Sequence, residues 1–271
     1  MEPNDYAMAV AVTTAHKEDY HLQELARQIS RELDAFLVPR RKKSVDLIAR
    51  ESGVPAVVVV GRQRVTCHVG GGEFFFHPGL AALRIKEIKS GKTDQMIKSL
   101  DLGPGDTLLD CTLGLGTDAI VASYVVGSRG RVVGLEASPV VACLVKYGLA
   151  SYKEAASELI EAMRRVEVVL SDHLTYLHNM TPGSFDVVYF DPMFRRAIHK
   201  SSAMRALRPL ARGGSPGLET VNLALRVARR RVVIKERSGS EEFKRLGCLE
   251  VSGGKHAPVA YGILEKGMVS G

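Results

Sequence analysis

Residues 108 to 122, LLDCTLGLGTDAIVA, hold the run Gly114-Leu-Gly116-Thr-Asp-Ala119 between a strand-like apolar stretch and a helix-like one, and Glu136 follows Gly116 by 20 residues. Such spacing fits a turn whose glycines let the backbone approach a nucleotide, with a downstream acid accepting from the ribose. Two further acids change the chemistry: Asp110 precedes the glycines and Asp118 sits among them. A dinucleotide would lay its pyrophosphate on the amides at this helix start. One carboxylate held 4 Å from a phosphate costs about 4 kcal/mol at an effective dielectric of about 20. A guest without phosphate and with cationic groups suits the loop better. S-adenosylmethionine, with a sulfonium and an ammonium group, is such a guest; its product is S-adenosylhomocysteine. Glu136 can accept from the ribose of either ligand. Asp172, after VEVVL, falls at the next strand end, in place to accept from the adenine amine. The plainer alternatives are a first-turn acid favoured by the helix dipole for Asp118 and a helix cap for Asp172.

A second motif closes the run FDVVYF with Asp191-Pro192-Met193-Phe194. An exocyclic amine on a planar base is a poor nucleophile, because its lone pair is delocalised into the ring. Asp191, with a backbone carbonyl near Pro192, can accept both amino hydrogens and so aim the nitrogen. Phe194 can stack on the base, an interaction worth roughly 1–3 kcal/mol. Catalysis would then consist mainly of alignment and desolvation. A tight turn is the plainer reading of Asp-Pro.

The net charge is +7, and residues 195 to 237 contribute twelve Lys/Arg against two Glu. Arg195, Arg196, His199 and Lys200 directly follow the second motif and are the candidates for phosphate contacts. Arg229, Arg230 and Arg231 either join them or cap a helix. Two more basic clusters are PRRKK at 39 to 43, and Arg84, Lys86, Lys89, Lys92 and Lys98. This distribution points to an anionic partner such as RNA.

The elements that would position these residues can be read from periodicity. Residues 7 to 14 read as a strand, 20 to 36 as a helix, and SVDLIARESG as a short helix ending at Gly53, followed by a hairpin from AVVVVG and RVTCHV. We take 1 to 75 as a small α/β domain. From residue 76 to 271 strands and helices alternate: helix 79 to 99, strand 107 to 111, helix 117 to 126, strand 131 to 135, helix 139 to 164 with a possible break, strands 166 to 170, 186 to 190 and 231 to 235, then two last strands near 247 to 252 and 258 to 264. Alternation implies a mostly parallel sheet covered on both faces, with ligands at the carboxyl ends of its strands. The four cysteines lack CxxC spacing, so we expect neither a metal site nor disulfides. No long apolar run and no basic leader is seen, which makes the cytoplasm the expected compartment and a membrane role unexpected.

Four segments, LDCTLGLGTDAIVAS…VVGLEASPVVACLVKYGLA, VVYFDPMF…KSSAMR, RVVIK and GKHAPVAYGIL, resemble in order the bacterial small-subunit ribosomal RNA methyltransferase J family. The resemblance covers roughly residues 105 to 265. It implies a class I methyltransferase fold, Rossmann-like and mostly parallel with an antiparallel last strand. It also implies an S-adenosylmethionine-dependent N-methyltransferase acting on the exocyclic amine of a guanosine in ribosomal RNA or the ribosomal subunit. Its cofactor contacts would fall on Thr117, Asp118, Glu136, Ala137, Asp172, His173 and Asp191, beside the Asp110, Gly114 and Gly116 reached above. The family has Arg where Thr117 stands. FFFHPG and the residues after it place His77 or Arg84 either near the methionine end of the cofactor or in a buried hinge. The competing functions are methylation of a small molecule or protein, a dinucleotide-dependent oxidoreductase, and an RNA-binding protein without catalysis.

Overall fold

In the computed structural model, residues 8–15, 19–192, 215–254 and 257–267 are described. The chain divides into two compact units, the first comprising Met1–His77, Ala137–Glu154 and Ile198–Arg212 and the second the remainder. The first unit opens with β1 (Val10–Thr14), α1 (Tyr20–Glu32), β2 (Phe36–Leu37), α2 (Val45–Ser52), β3 (Ala56–Val60), β4 (Val65–Val69) and β5 (Gly72–Phe75). Its sheet runs β2-β1-β3-β4-β5, with β1 parallel to both neighbours and the β3-β4-β5 meander antiparallel. Helix α2 begins where Ser44 accepts from the Leu47 amide and stops at Gly53, whose φ of 63° ends the helical path. Its Ile48 packs with Ala11, Val57 and Val59 on one face of the sheet.

The second unit supplies α3 (Gly79–Lys89), α4 (Gln95–Leu100), β6 (Thr107–Asp110), α5 (Thr117–Val126) and β7 (Arg131–Glu136). The single helix expected over 79 to 99 is two, because Gly91 turns at φ 84° and Asp94 then caps a new helix by accepting from the Ile97 amide. Helix α6 (Pro139–Ser151) belongs to the first unit. There its Lys146 and Tyr147 both reach Glu32 of α1, at 2.7 and 3.2 Å. This return of the chain lies outside a boundary drawn once at residue 75.

The second unit continues with α7 (Ser157–Arg165), β8 (Val166–Leu170), α8 (His173–Asn179), β9 (Phe185–Phe190), α9 (Leu218–Val227), β10 (Ala228–Arg237), α10 (Glu242–Arg245), β11 (Glu250–Ser252) and β12 (Val259–Glu265). Its sheet order is β11-β12-β10-β9-β6-β7-β8. Strands β10, β9, β6, β7 and β8 are parallel, and β12 runs antiparallel to β10 and β11. This is the expected mostly parallel sheet with an antiparallel last strand. The chain leaves β6 toward β7 and β8 on one side, then crosses to β9 on the other. The carboxyl ends of β6 and β9 therefore flank the switch point, where such sheets bind ligands. A core of Leu109, Val133, Leu135, Phe185, Val188, Phe190 and Ile234, among others, holds these strands in place. All four cysteines are free, three of them buried. Among the described residues no helix is long and apolar enough to cross a membrane.

Candidate active site

The turn after β6 is shaped by two left-handed glycines, Gly114 at φ 52° and Gly116 at φ 78°. A side chain there would be strained, and glycine leaves the backbone open to close approach. Three contacts pin the turn. The Gly114 amide donates to Glu136 Oε2 at 3.2 Å, the Leu113 amide donates to the Leu135 carbonyl at 2.9 Å, and the Leu113 side chain fills the space over Gly134, where a Cβ would lie 2.4 Å from Leu113 Cδ1. Glu136, at the end of β7, thus stands against the glycine turn. Thr117 opens α5, and Ala137 follows Glu136 where the first unit's returning segment begins.

Asp110 is 1% exposed and accepts from the Thr112 amide at 3.0 Å. Burial raises its carboxyl to about 8, aided by Asp118 and Asp191 and opposed by that amide and by Lys235. Asp118 accepts from Arg84 Nη1, from the Tyr189 hydroxyl at 2.8 Å and from Lys235 Nζ at 3.2 Å. Burial opposes its ionisation, but Lys235 and Arg84 outweigh this and hold the carboxyl well below its usual range. These two acids differ from the sequence expectation of open charges awaiting a cation. One is predominantly protonated at neutral pH, and the other is matched by cations of the chain itself.

Arg84 also grips Asp94 with two nitrogens, at 2.8 and 2.9 Å. This geometry is the fork-on-carboxylate pair, and it ties α3 and α4 to the first turn of α5. Lys235 in turn bridges Asp118 to Asp191, whose Oδ2 it reaches at 2.7 Å. The Asp191 amide donates to Thr112 Oγ1 at 2.6 Å, fastening the strand end after β9 to the turn after β6. Burial raises the Asp191 carboxyl to about 6, opposed by Lys235 and reinforced by Asp118. Burial likewise disfavours the Lys235 ammonium, but the two aspartates hold its proton more tightly than usual. Pro192 is buried beside Asp191.

Asp172 caps α8, accepting from the Thr175 amide at 2.9 Å. His173 sets its ring edge-on to Phe190 at 5.7 Å, and burial lowers its pKa against the pull of Asp172. Phe194, Arg195, Arg196, His199 and Lys200 lie outside the described residues. Arg229, Arg230 and Arg231 sit at the start of β10, on Asp186, on Asp106 and on Asp101 with Glu265 respectively. That is the amino end of the strand, away from Asp191. Helix capping falls instead to Arg226, which donates to the carbonyls of Leu177, His178 and Met180 at the end of α8.

Sequence reasoning kept Arg84 only as one of two possibilities and treated Lys235 as one charge in a run. A signal for Lys235 was available: a lysine directly after the apolar run Val232 to Ile234, inside a strand with a buried core stretch, needs an acidic partner if it is sequestered.

A family model described as "Putative SAM-dependent methyltransferase" matches residues 73–249. The chain belongs to the SAM-dependent methyltransferases. Its cofactor is S-adenosylmethionine. Among relatives of this methyltransferase, the "Uncharacterized protein YpiP" of Bacillus subtilis (strain 168) is 38% identical over 255 residues, covering 94% of this chain and 98% of that one. The "Ribosomal RNA small subunit methyltransferase J" of Cellvibrio japonicus (strain Ueda107) is 32% identical over 160 residues, and the chain spans 59% of its length. The crystal structure of a SAM-dependent methyltransferase from Neisseria gonorrhoeae matches with a TM-score of 0.65 at 16% identity, covering 96% of this methyltransferase and 97% of that chain. The fold is thus a class I methyltransferase fold.

The residues at the switch point fit the cofactor's chemistry. The positive-φ glycines permit close backbone approach, and the Glu136 carboxylate at the glycine turn can accept from a ribose diol. The described cations in the cluster, Arg84 and Lys235, are both engaged by carboxylates, so neither is free to pair with a pyrophosphate.

Proposed function

We propose that this methyltransferase modifies the exocyclic amine of a base in RNA, namely guanine in small-subunit ribosomal RNA, free or in the ribosomal subunit. The observation that carries this reading is the placement of Asp191. It closes β9 at the switch point, its backbone is fastened to Thr112, and its carboxylate is steered by Lys235. The likeness of part of the chain to the Cellvibrio enzyme named for ribosomal RNA supports the substrate class.

In this reading Gly114, Gly116, Glu136 and Asp172 hold S-adenosylmethionine, with Thr117, Ala137 and His173 beside them. Bound there, the cofactor supplies an electrophilic methyl group. Asp118 contributes through Arg84 and Lys235, setting the loop's shape and the position of the lysine. Asp191 is ionised at neutral pH, accepts the amino hydrogens of the base and directs the nitrogen's lone pair. Its ordinary freedom to rotate is removed by Lys235, and such alignment is the main source of rate in an in-line displacement. The amine becomes acidic once methylated, so the carboxylate can accept the departing proton without being a strong base. Phe194 stacks on the base, and Arg195, Arg196, His199 and Lys200 contact the flanking phosphates.

Mass spectrometry of nucleosides from small-subunit ribosomal RNA tests this reading. Cells lacking the protein should lose one N-methylated guanosine, and wild type, but not Asp191→Ala, should restore it. An unchanged nucleoside profile would contradict the reading.

A further inference from the structure

The PRRKK segment finds no role in methyl transfer, yet the first unit gives it a defined place. Strands β1, β2 and β3 are parallel in the order β2-β1-β3. The chain goes from β1 to β2 on one side and to β3 on the other, so this small sheet has its own switch point at its carboxyl edge. The loop after β2 carries Arg40, Arg41, Lys42 and Lys43, and the turn after β3 carries Arg62 and Arg64. Asp19, just before α1, accepts from Arg62 at 3.2 Å and draws the loop after β1 to the same place.

Little of this charge is neutralised. Lys43 pairs with Glu51 and Arg62 with Asp19, but the Arg62 side chain remains 82% exposed. Arg64 lies over the Phe75 ring at 3.6 Å. Arg41 and Lys42 are exposed and have no ion-pair partner among the described residues, and Arg40 Nη1 is sequestered without an acceptor. Arg41 and Lys42 also adopt φ of 38° and 62°, a conformation non-glycine residues seldom take. Two consecutive cations are thereby presented on one tight turn. Tyr20, next to Asp19, is 72% exposed. Exposed cations beside an exposed aromatic ring match the needs of single-stranded nucleic acid: phosphate neutralisation and a stacking surface. Tyrosine also suits a membrane interface, but the proposed RNA substrate of this same chain favours a polynucleotide as the occupant.

We propose that the carboxyl edge of the first unit's sheet, centred on Arg41, Lys42, Arg62 and Tyr20, is an RNA-backbone binding surface that helps hold the substrate strand. The proposal rests on RNA being the substrate.

The test is a full-length variant, Arg41→Asn, Lys42→Asn and Arg62→Gln. Asparagine tolerates the left-handed turn, so charge is removed without straining the loop. Binding of a fluorescent single-stranded RNA oligonucleotide is measured by anisotropy across a salt series, alongside calorimetry with S-adenosylhomocysteine. Each lost phosphate contact should lower the salt slope by about 0.7 for single-stranded RNA, hence by about 2 for the triple variant. Affinity at low salt should fall roughly tenfold or more, and the KM for RNA should rise in step, with S-adenosylhomocysteine affinity unchanged. A Tyr20→Ala variant should weaken binding several-fold with the slope unchanged. Equal RNA affinity and slope in wild type and triple variant would overturn the surface while leaving the RNA reading standing. A wild type that binds no RNA would overturn both. If phosphatidylglycerol vesicles bind wild type but not the triple variant, and RNA binding is equal in the two, the occupant is a membrane and the proposal fails.

Discussion

The two sheets of this chain place opposite electrostatics at the same topological position. At the carboxyl edge of the seven-stranded sheet, acids crowd the switch point, and Arg84 and Lys235 among them are tied up by Asp94, Asp118 and Asp191. At the carboxyl edge of the five-stranded sheet, Arg41 and Lys42 have no described counter-ion. Burial accounts for the difference. Asp110, Asp118 and Tyr189 are sequestered, so each charge there must be matched or given up. Arg41 and Lys42 stand in water, where an unmatched charge costs little and stays available to a polyanion, and Arg62, paired with Asp19, is still mostly exposed. The parallel α/β topology decides where a ligand goes, and the side chains decide which ligand.

The sharpest way to break this contrast is to remove Asp191. Asp191→Ala should lower the methyl-transfer rate by about 10³-fold, within the range for a group that both aligns and accepts a proton. S-adenosylhomocysteine affinity, read by calorimetry, should change less than about threefold. Next in size is Lys235→Met, which keeps the length of the side chain and removes the bridge between Asp118 and Asp191. We expect a roughly 10²-fold loss in kcat with the cofactor KM nearly unchanged, because Arg84 still holds Asp118. Glu136→Ala should do the reverse, raising the cofactor KM by about 10- to 100-fold with little effect on RNA affinity. If it weakened RNA binding instead, the division of labour between the two edges would be wrong.

The smallest effect concerns stability. The folded Asp110 carboxyl titrates near 8, against about 3.9 for an unfolded aspartate. Between those values the folded chain binds more protons than the unfolded one, so this group's contribution makes stability fall as pH rises from about 4 to 8. Asp110→Asn should flatten the decline of Tm over pH 5 to 8 in ligand-free protein by a few degrees, measured by scanning calorimetry. An unaltered pH dependence would mean that the buried acid stays ionised.

Much of the second unit was legible in the sequence because its signals are local. The β6 turn is announced by glycines, α5 spans the expected 117 to 126, and β8 spans the expected 166 to 170. Signals failed where the physics is long-range. The helix expected over 79 to 99 keeps its apolar period, but Gly91 and the Asp94 cap split it, and Asp94 is fixed by Arg84 rather than by its neighbours alone. The two-residue β2 has no periodicity to read and exists only through its pairing with β1. Within the site, Asp110 and Asp118 flank the turn by their place in the sequence, but their charge states were not legible there. Those depend on burial and, for Asp118, also on Lys235, 117 positions away along the chain, and on Arg84. The run Arg229 to Arg231 reads in one dimension as either a nucleic-acid patch or a helix cap; in three it is paired with Asp186, Asp106, Asp101 and Glu265.

The most direct test of the central claim, that an ionised Asp191 steered by Lys235 aims the amine, is the pH dependence of the single-turnover methyl-transfer rate at saturating cofactor and RNA. Asp191 titrates near 6, so the wild-type rate should be level above pH 7 and fall tenfold per unit as pH drops below about 6. In Lys235→Met the midpoint should move upward, because the ammonium that favours the carboxylate is gone. A wild-type rate flat from pH 5 to 8, or a midpoint that ignores Lys235, would contradict the account.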